Sequence, residues 1–315
     1  LAREISHGLY SSWAIEFLVL WPPYWRPTAF VEPSFFVSKP TLFFLQTPLL
    51  PGFGLSFGVS VLYLSLVILL PLSALLLYVS DMTWAQYWFA ISDPRVVQTY
   101  KVTISAAFYS TIAVLLIGLL LAWIITRYDF PGRRIVDALI DLPFALPTSV
   151  AGLTLAALLV PNGWIGQWLG FKVAYAYAGI VVAMVFTSIP FVVRTVQPVL
   201  QDLGSEYEEA ARTLGASRVQ TFRKVILPTL APALVTGGSQ AFIRSLGEFG
   251  AVIMIAGNIP YQTEVSSLMI FVRLQEFNYP AAAAIASVIL LASLTLLFLL
   301  QVVQGRLFAW QRQGR

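Results

Sequence analysis

Few ionisable or hydroxyl side chains interrupt the apolar runs of this sequence, and those few are where any chemistry must lie. Arg244 and Glu248 stand four apart in one run, a spacing that sets two side chains one above the other on a helix face. A charge in hydrocarbon is costly unless it meets a partner or a cavity, so the two are expected to pair and to point inward. Such a pair either ties gate helices together or lends a cation that draws an anion to a pathway, and the spacing leaves both readings open. Gly247 and Gly250 beside it permit close helix approach or bending. Asp137 and Asp141 share a face next to Arg133 and Arg134, which reads as interfacial ion pairing rather than proton coupling. Pro143 and Pro147 are expected to kink their run and free backbone carbonyls, which is tolerable only where the backbone is buried or lines water. Thr148, Ser149 and Ser188 offer hydroxyls to an oxyanion, although hydroxyls within a span more often bond back to their own helix.

Other chemistries lack their parts. The chain has no cysteine, which excludes disulfides and Cys-based metal sites. Its one histidine, His7, cannot build a His-rich metal site or a Ser-His triad in the membrane core. No Gly-rich loop of the Walker type is present, so no cofactor is expected on this chain and ATP cannot bind it in that manner. The formal net charge is +4, but the basic residues are scattered between apolar segments rather than gathered on a polar face, so nucleic acid is not an expected partner.

The elements that must position these residues follow from apolarity. Of 315 residues, 58% are hydrophobic and 11% charged, and the mean hydropathy is +0.79. A soluble core of that composition would lack polar residues to cover its surface, whereas a bilayer accepts apolar surface as it stands. Runs long enough to cross occur near 57–79, 102–125, 135–160, 179–200, 228–256 and 280–302, which predicts an all-α polytopic membrane protein of about six transmembrane helices. Arginines 127, 133 and 134 follow the second run, Arg194, Arg212, Arg218, Arg223 and Lys224 the fourth, and Arg306, Arg312 and Arg315 the sixth. Lys and Arg are retained on the cytoplasmic side, so both termini, including a tail at 303–315, are expected there. Trp84, Trp88, Trp164 and Trp168 in the alternate loops suit the headgroup level. Residues 1–50, dotted with prolines, are expected to form a poorly ordered or interfacial extension rather than a cleaved signal peptide. Residues 265–277 read as an amphipathic helix on the outer membrane surface, with Glu264, Arg273, Gln275 and Glu276 on its polar side.

The longest cytoplasmic loop, 201–227, is polar and helical in pattern. Ser205 and Glu208 have the spacing of a capping box, which predicts a short exposed helix from Glu206 with its acidic residues at the positive end of the dipole. Ala210 and Ala211 keep its surface low, Gly215 permits a tight turn, and a basic amphipathic stretch then re-enters the membrane at Leu227 and Pro228. A short helix held between two others is a handle that another protein can push.

Glu209, Ala210, Ala211, three residues, Gly215, and then Val225 to Pro228 resemble the "EAA" loop of ABC importer permeases. The stretches 142–152, 186–191 and 244–251 are similar to the sulfate and molybdate branch, and 51–54 and 262–280 to its T-subunit type of sulfate permease. That resemblance implies the type I importer permease (MetI-like) fold and an EAA loop that docks in a cleft on an ATPase. It implies further partners: a second, homologous permease in a heterodimer, two ATPase subunits carrying ATP-Mg, an extracytoplasmic sulfate-binding protein, and a bacterial inner membrane rather than a plastid envelope around them. Sulfate is the implied cargo, with thiosulfate, molybdate and tungstate as neighbours in chemistry. A secondary anion transporter coupled through Asp141 or Glu248 is the competing reading, and it has no need of an EAA-like loop.

Overall fold

The computed structural model describes residues 53–307. The expectations for residues 1–50, for His7 and for the arginines at 312 and 315 lie outside that range. The chain divides into two units, Leu1–Leu62 and Tyr63–Arg315. The described part of the first is the opening of helix α1 (Phe53–Ser80), where Phe53 and Phe57 stack with ring centroids 5.8 Å apart. The second unit comprises the remainder of α1 and then α2 (Trp84–Ser92), α3 (Pro94–Arg127), α4 (Arg133–Ile140), α5 (Leu142–Ala145), α6 (Thr148–Leu159), α7 (Tyr177–Asp202), α8 (Glu206–Thr213), α9 (Arg218–Leu246), α10 (Gly250–Ile255), α11 (Ser266–Gln275) and α12 (Tyr279–Leu307). Among the described residues every regular element is a helix, and α1, α3, α7, α9 and α12 are long and apolar enough to cross a membrane.

Local chemistry sets the helix starts. Thr83 and Gln86 form a reciprocal capping box ahead of α2. Asp93 Oδ1 accepts from the Arg95 amide at 2.8 Å, and Pro94 occupies the first turn of α3, where a missing N–H costs nothing. In lipid, burial of apolar surface drives association little, so packing and cross-helix hydrogen bonds must do it. The interior is built accordingly. The central helix α7 lies against α3 and α9, and its fully buried Val192 is flanked by Gly118 of α3 and Gly237 of α9. Ser188 of α7 and Ser110 of α3 both reach Ser245 of α9, at 3.1 and 3.3 Å, so three helices share one buried hydroxyl junction. Ser188 thus bonds across helices, also reaching the Ala241 carbonyl at 3.5 Å, instead of back-bonding to its own helix.

Two expected spans are not single helices. The run at 135–160 is divided into α4, α5 and α6, because Leu146 before Pro147 is extended (φ −87°, ψ 138°) and Pro147 itself takes φ −56°, ψ 128°. The prolines therefore interrupt the helix rather than kink it. The run at 228–256 ends as a helix at Leu246, and the chain turns through Gly247 to Phe249 before α10. Leu227 and Pro228 lie within α9, which is helical from Arg218 and passes through a π turn at Phe222–Ile226. Pro228 has no N–H for the carbonyl four residues back, and the wider turn just before it accommodates that loss.

Candidate functional site

Two regions hold the residues singled out in the sequence. The first is the cytoplasmic loop. Helix α8 has Glu206, Glu208 and Glu209 in its first turn, at the positive end of the helix dipole. The capping box expected there is absent: Ser205 adopts helical angles and its side chain makes no cap bond. Glu208 turns instead to Arg127 at the end of α3, with Oε1 3.0 Å from Nη2, while the same guanidinium donates to the Gly204 carbonyl and lies over the Trp123 ring. A capping box forms beyond α8 instead, between Ser217 and Gln220 at the head of α9. Between the two helices Gly215 sits at φ +80°, a left-handed angle that a side chain there would resist. Glu209 and Ala210 face solvent and Ala211 is half-buried.

Three apolar residues of this loop escaped the sequence reading. Leu214 is 88% exposed, and Tyr207 and Val219 are also well exposed. Their only signal in the sequence is an apolar type within a polar, surface-bound stretch, which points to contact with something other than this chain.

The second region is where the two interrupted runs meet. A Cβ on Gly152 of α6 would collide with the Ala251 backbone of α10, and one on Gly250 with the Thr148 side chain, so small residues alone let these helices cross. Thr148 and Ser149 are thereby brought against the start of α10. Arg244, at the end of α9, places Nη1 2.6 Å from Glu248 Oε2. The two were expected on one continuous helix face; Glu248 lies instead in the turn after the helix, 2% exposed, where its Oε1 accepts from the Ala251 amide at 3.0 Å. It caps α10 and meets Arg244 at once. Its carbonyl accepts from Ser267 Oγ at 2.8 Å, tying the turn to α11. Of the interrupted run's prolines, Pro147 precedes α6 directly and Pro143 lies in α5, which is anchored by the edge-on pair Phe144–Phe191 to α7.

The nearby carboxylates have other partners than expected. Arg194 of α7, not Arg133 or Arg134, takes both Asp137 and Asp141, and Arg133 pairs with Asp129 at 2.5 Å. Glu264, assigned to a solvent-facing side, is 3% exposed and accepts two bonds from Arg95, at 2.8 and 2.5 Å. Helix α11 correspondingly packs against α3 and α12 and buries Leu268 and Met269.

Residues 114–313 match the family described as "Binding-protein-dependent transport system inner membrane component". Over 260 residues the sequence is 65% identical to the sulfate transport system permease protein CysT of Salmonella typhimurium, covering 82% of this chain and 94% of that protein. The chain belongs to this family, in its CysT branch. The permease is also 44% identical over 256 residues to the CysT protein of Synechocystis sp., covering 80% of this chain and 90% of the relative. Its fold is similar to a chain of a bacterial alginate ABC transporter crystallised with an alginate-bound periplasmic protein, with a TM-score of 0.67 at 18% identity, over 81% of this chain and 95% of that one. It is a multi-pass membrane permease of the ABC importer type.

Proposed function

We propose that this permease conducts sulfate inward, with ATP hydrolysed on a partner ATPase that grips α8. One observation carries the mechanism. From the corner at Gly215, α9 runs unbroken from Arg218 to Leu246 and ends beside Arg244 and the turn that holds Glu248. At about 1.5 Å per residue, a displacement of α8 is passed on the order of 40 Å along a stiff rod to the place where α6 and α10 cross. Glu209, Ala210, Ala211 and Gly215 form the handle, Leu227 and Pro228 lie on the rod, and Arg244, Gly247, Glu248, Pro143, Pro147, Thr148 and Ser149 surround the far end as gate and pathway.

Cargo and partners rest on likeness to the CysT proteins, which are sulfate permeases by name. Thiosulfate shares the tetrahedral dianion chemistry and is a second substrate. In this reading a homologous permease completes a heterodimer, two ATPase subunits bind the α8 helices, an extracytoplasmic binding protein delivers the anion, and both termini face the cytoplasm of a bacterial inner membrane. The exposed Leu214 and Tyr207 beside Glu209 support an ATPase contact at α8.

The test is ATP-dependent uptake of labelled sulfate into vesicles carrying the complete transporter, with Glu209→Ala and Gly215→Ala compared to the unaltered chain. Uptake falls in both while the four-subunit complex still assembles. Unchanged uptake in both variants overturns the coupling role, and uptake of molybdate without sulfate overturns the cargo.

A further inference from the structure

A cavity of about 510 Å³ opens between the end of α3, the corner before α8, and the head of α9. Three arginines from three elements line it: Arg127, Arg212 and Arg218. Only Arg127 has an acidic partner, Glu208; Arg212 and Arg218 make no ion pair among the described residues and are exposed. Even Arg127 is incompletely matched, since its buried Nε has no hydrogen-bond partner. The Ser205 hydroxyl, released from the cap it was expected to make, also lines the cavity. Trp123, Tyr128 and Phe222 supply an aromatic part of the wall, completed by Thr221 and Ile226.

We infer that this cavity binds a phosphate-type tetrahedral oxyanion group, carried by the headgroup of an anionic phospholipid. Arginine presents a planar fork of donors that fits such oxygens, and three guanidiniums against one carboxylate leave a net positive site. The aromatic wall at the end of a membrane-crossing helix stands at the level of headgroups and suits the glycerol end of a lipid better than a free hydrated ion. A bound headgroup bridges α3, α8 and α9, so membrane composition bears directly on the helix that the partner ATPase is proposed to move. The site lies apart from the crossing of α6 and α10, and its occupancy does not depend on which anion is transported.

The experiment is native mass spectrometry of the complete transporter in detergent, titrated separately with phosphatidylglycerol, phosphatidylcholine and inorganic phosphate. Three forms are compared: the unaltered permease, Arg212→Gln/Arg218→Gln, and Arg133→Gln/Arg134→Gln as an equal loss of charge elsewhere on the basic surface. Phosphatidylglycerol is expected to bind the unaltered chain and to bind Arg212→Gln/Arg218→Gln at least roughly tenfold more weakly, with the control double variant unchanged. The same pattern with inorganic phosphate alone assigns the site to a free oxyanion, keeping the site and changing the carrier. Equal retention in the unaltered and Arg212→Gln/Arg218→Gln forms, or equal loss in both double variants, overturns the inference.

Discussion

Arg194 holds Asp141 by two parallel bonds, Nε to Oδ1 at 2.9 Å and Nη2 to Oδ2 at 2.5 Å, and so fastens the break between α4 and α5 to the central helix α7. The same guanidinium reaches Asp137 through its carboxylate at 2.6 Å and its carbonyl at 2.9 Å. Lysine at this position would keep the charge and lose the fork. Arg194→Lys is therefore expected to destabilise the complex by on the order of 1 kcal/mol, a modest figure because all three side chains are partly exposed and screened. A thermal-unfolding midpoint lower by about 1–2 °C in the purified complex is the readout; an unchanged midpoint would show that charge alone holds the break.

Glu264 presents the opposite situation, a carboxylate almost wholly out of solvent with Arg95 as its partner. Removing the arginine strands a buried charge, and such losses run to about 3–5 kcal/mol when both partners are buried. Arg95 is one-third exposed, so Arg95→Gln is expected to cost roughly 2 kcal/mol, and Arg95→Gln/Glu264→Gln distinctly less than the single change. Thermal unfolding of the two single variants and the double variant measures the coupling. Additive effects would mean that the pair contributes nothing beyond its separate side chains.

These ion pairs also mark what could and could not be read from the sequence. The long apolar runs were legible because a bilayer demands length and apolarity, both of which are local properties. The turn at Gly215 and the exposed helix from Glu206 were legible for the same reason, as residue types at short spacing. Partners distant in the chain were not. Asp141 was placed with Arg133 and Arg134 by nearness, yet Arg194 lies 53 residues away; Glu264 was placed in solvent, yet Arg95 lies 169 residues away. Glu208 left its predicted cap because Arg127, on another helix, offers a full charge where the cap offers an amide. The prolines at 143 and 147 did signal trouble in their run. The residue before a proline is pushed toward extended angles, so the stop at Leu146 was itself a local signal, one that the expectation of a kink passed over.

Glu248 has two duties that a substitution can separate. Glutamine keeps an oxygen for the Ala251 amide and removes the charge facing Arg244. Glu248→Gln is expected to leave the complex assembled, with the cap intact, while sulfate uptake changes because Arg244 loses its counter-charge at the helix crossing. Glu248→Ala loses both and is expected to lower the unfolding midpoint further, the lost cap alone costing about 1 kcal/mol. Uptake kinetics of Glu248→Gln decide the matter: rates identical to the unaltered permease would reduce the Arg244–Glu248 pair to a structural tie.

The crossing of α6 and α10 sets a severe constraint, because the atoms facing Gly152 are backbone. A Cβ there meets the carbonyl oxygen, Cα and carbonyl carbon of Ala251, none of which a rotamer change can move. Overpacking in a core ordinarily costs about 1–3 kcal/mol, and a clash with backbone belongs at or above the upper end. Gly152→Val is expected to reduce the monodisperse fraction of the purified complex sharply. Ala251→Gly should fail to rescue it, since that change deletes only a side chain and leaves the colliding atoms in place. Rescue by Ala251→Gly would mean that side chains, not backbones, set the distance between these helices, and that the crossing is looser than its geometry implies.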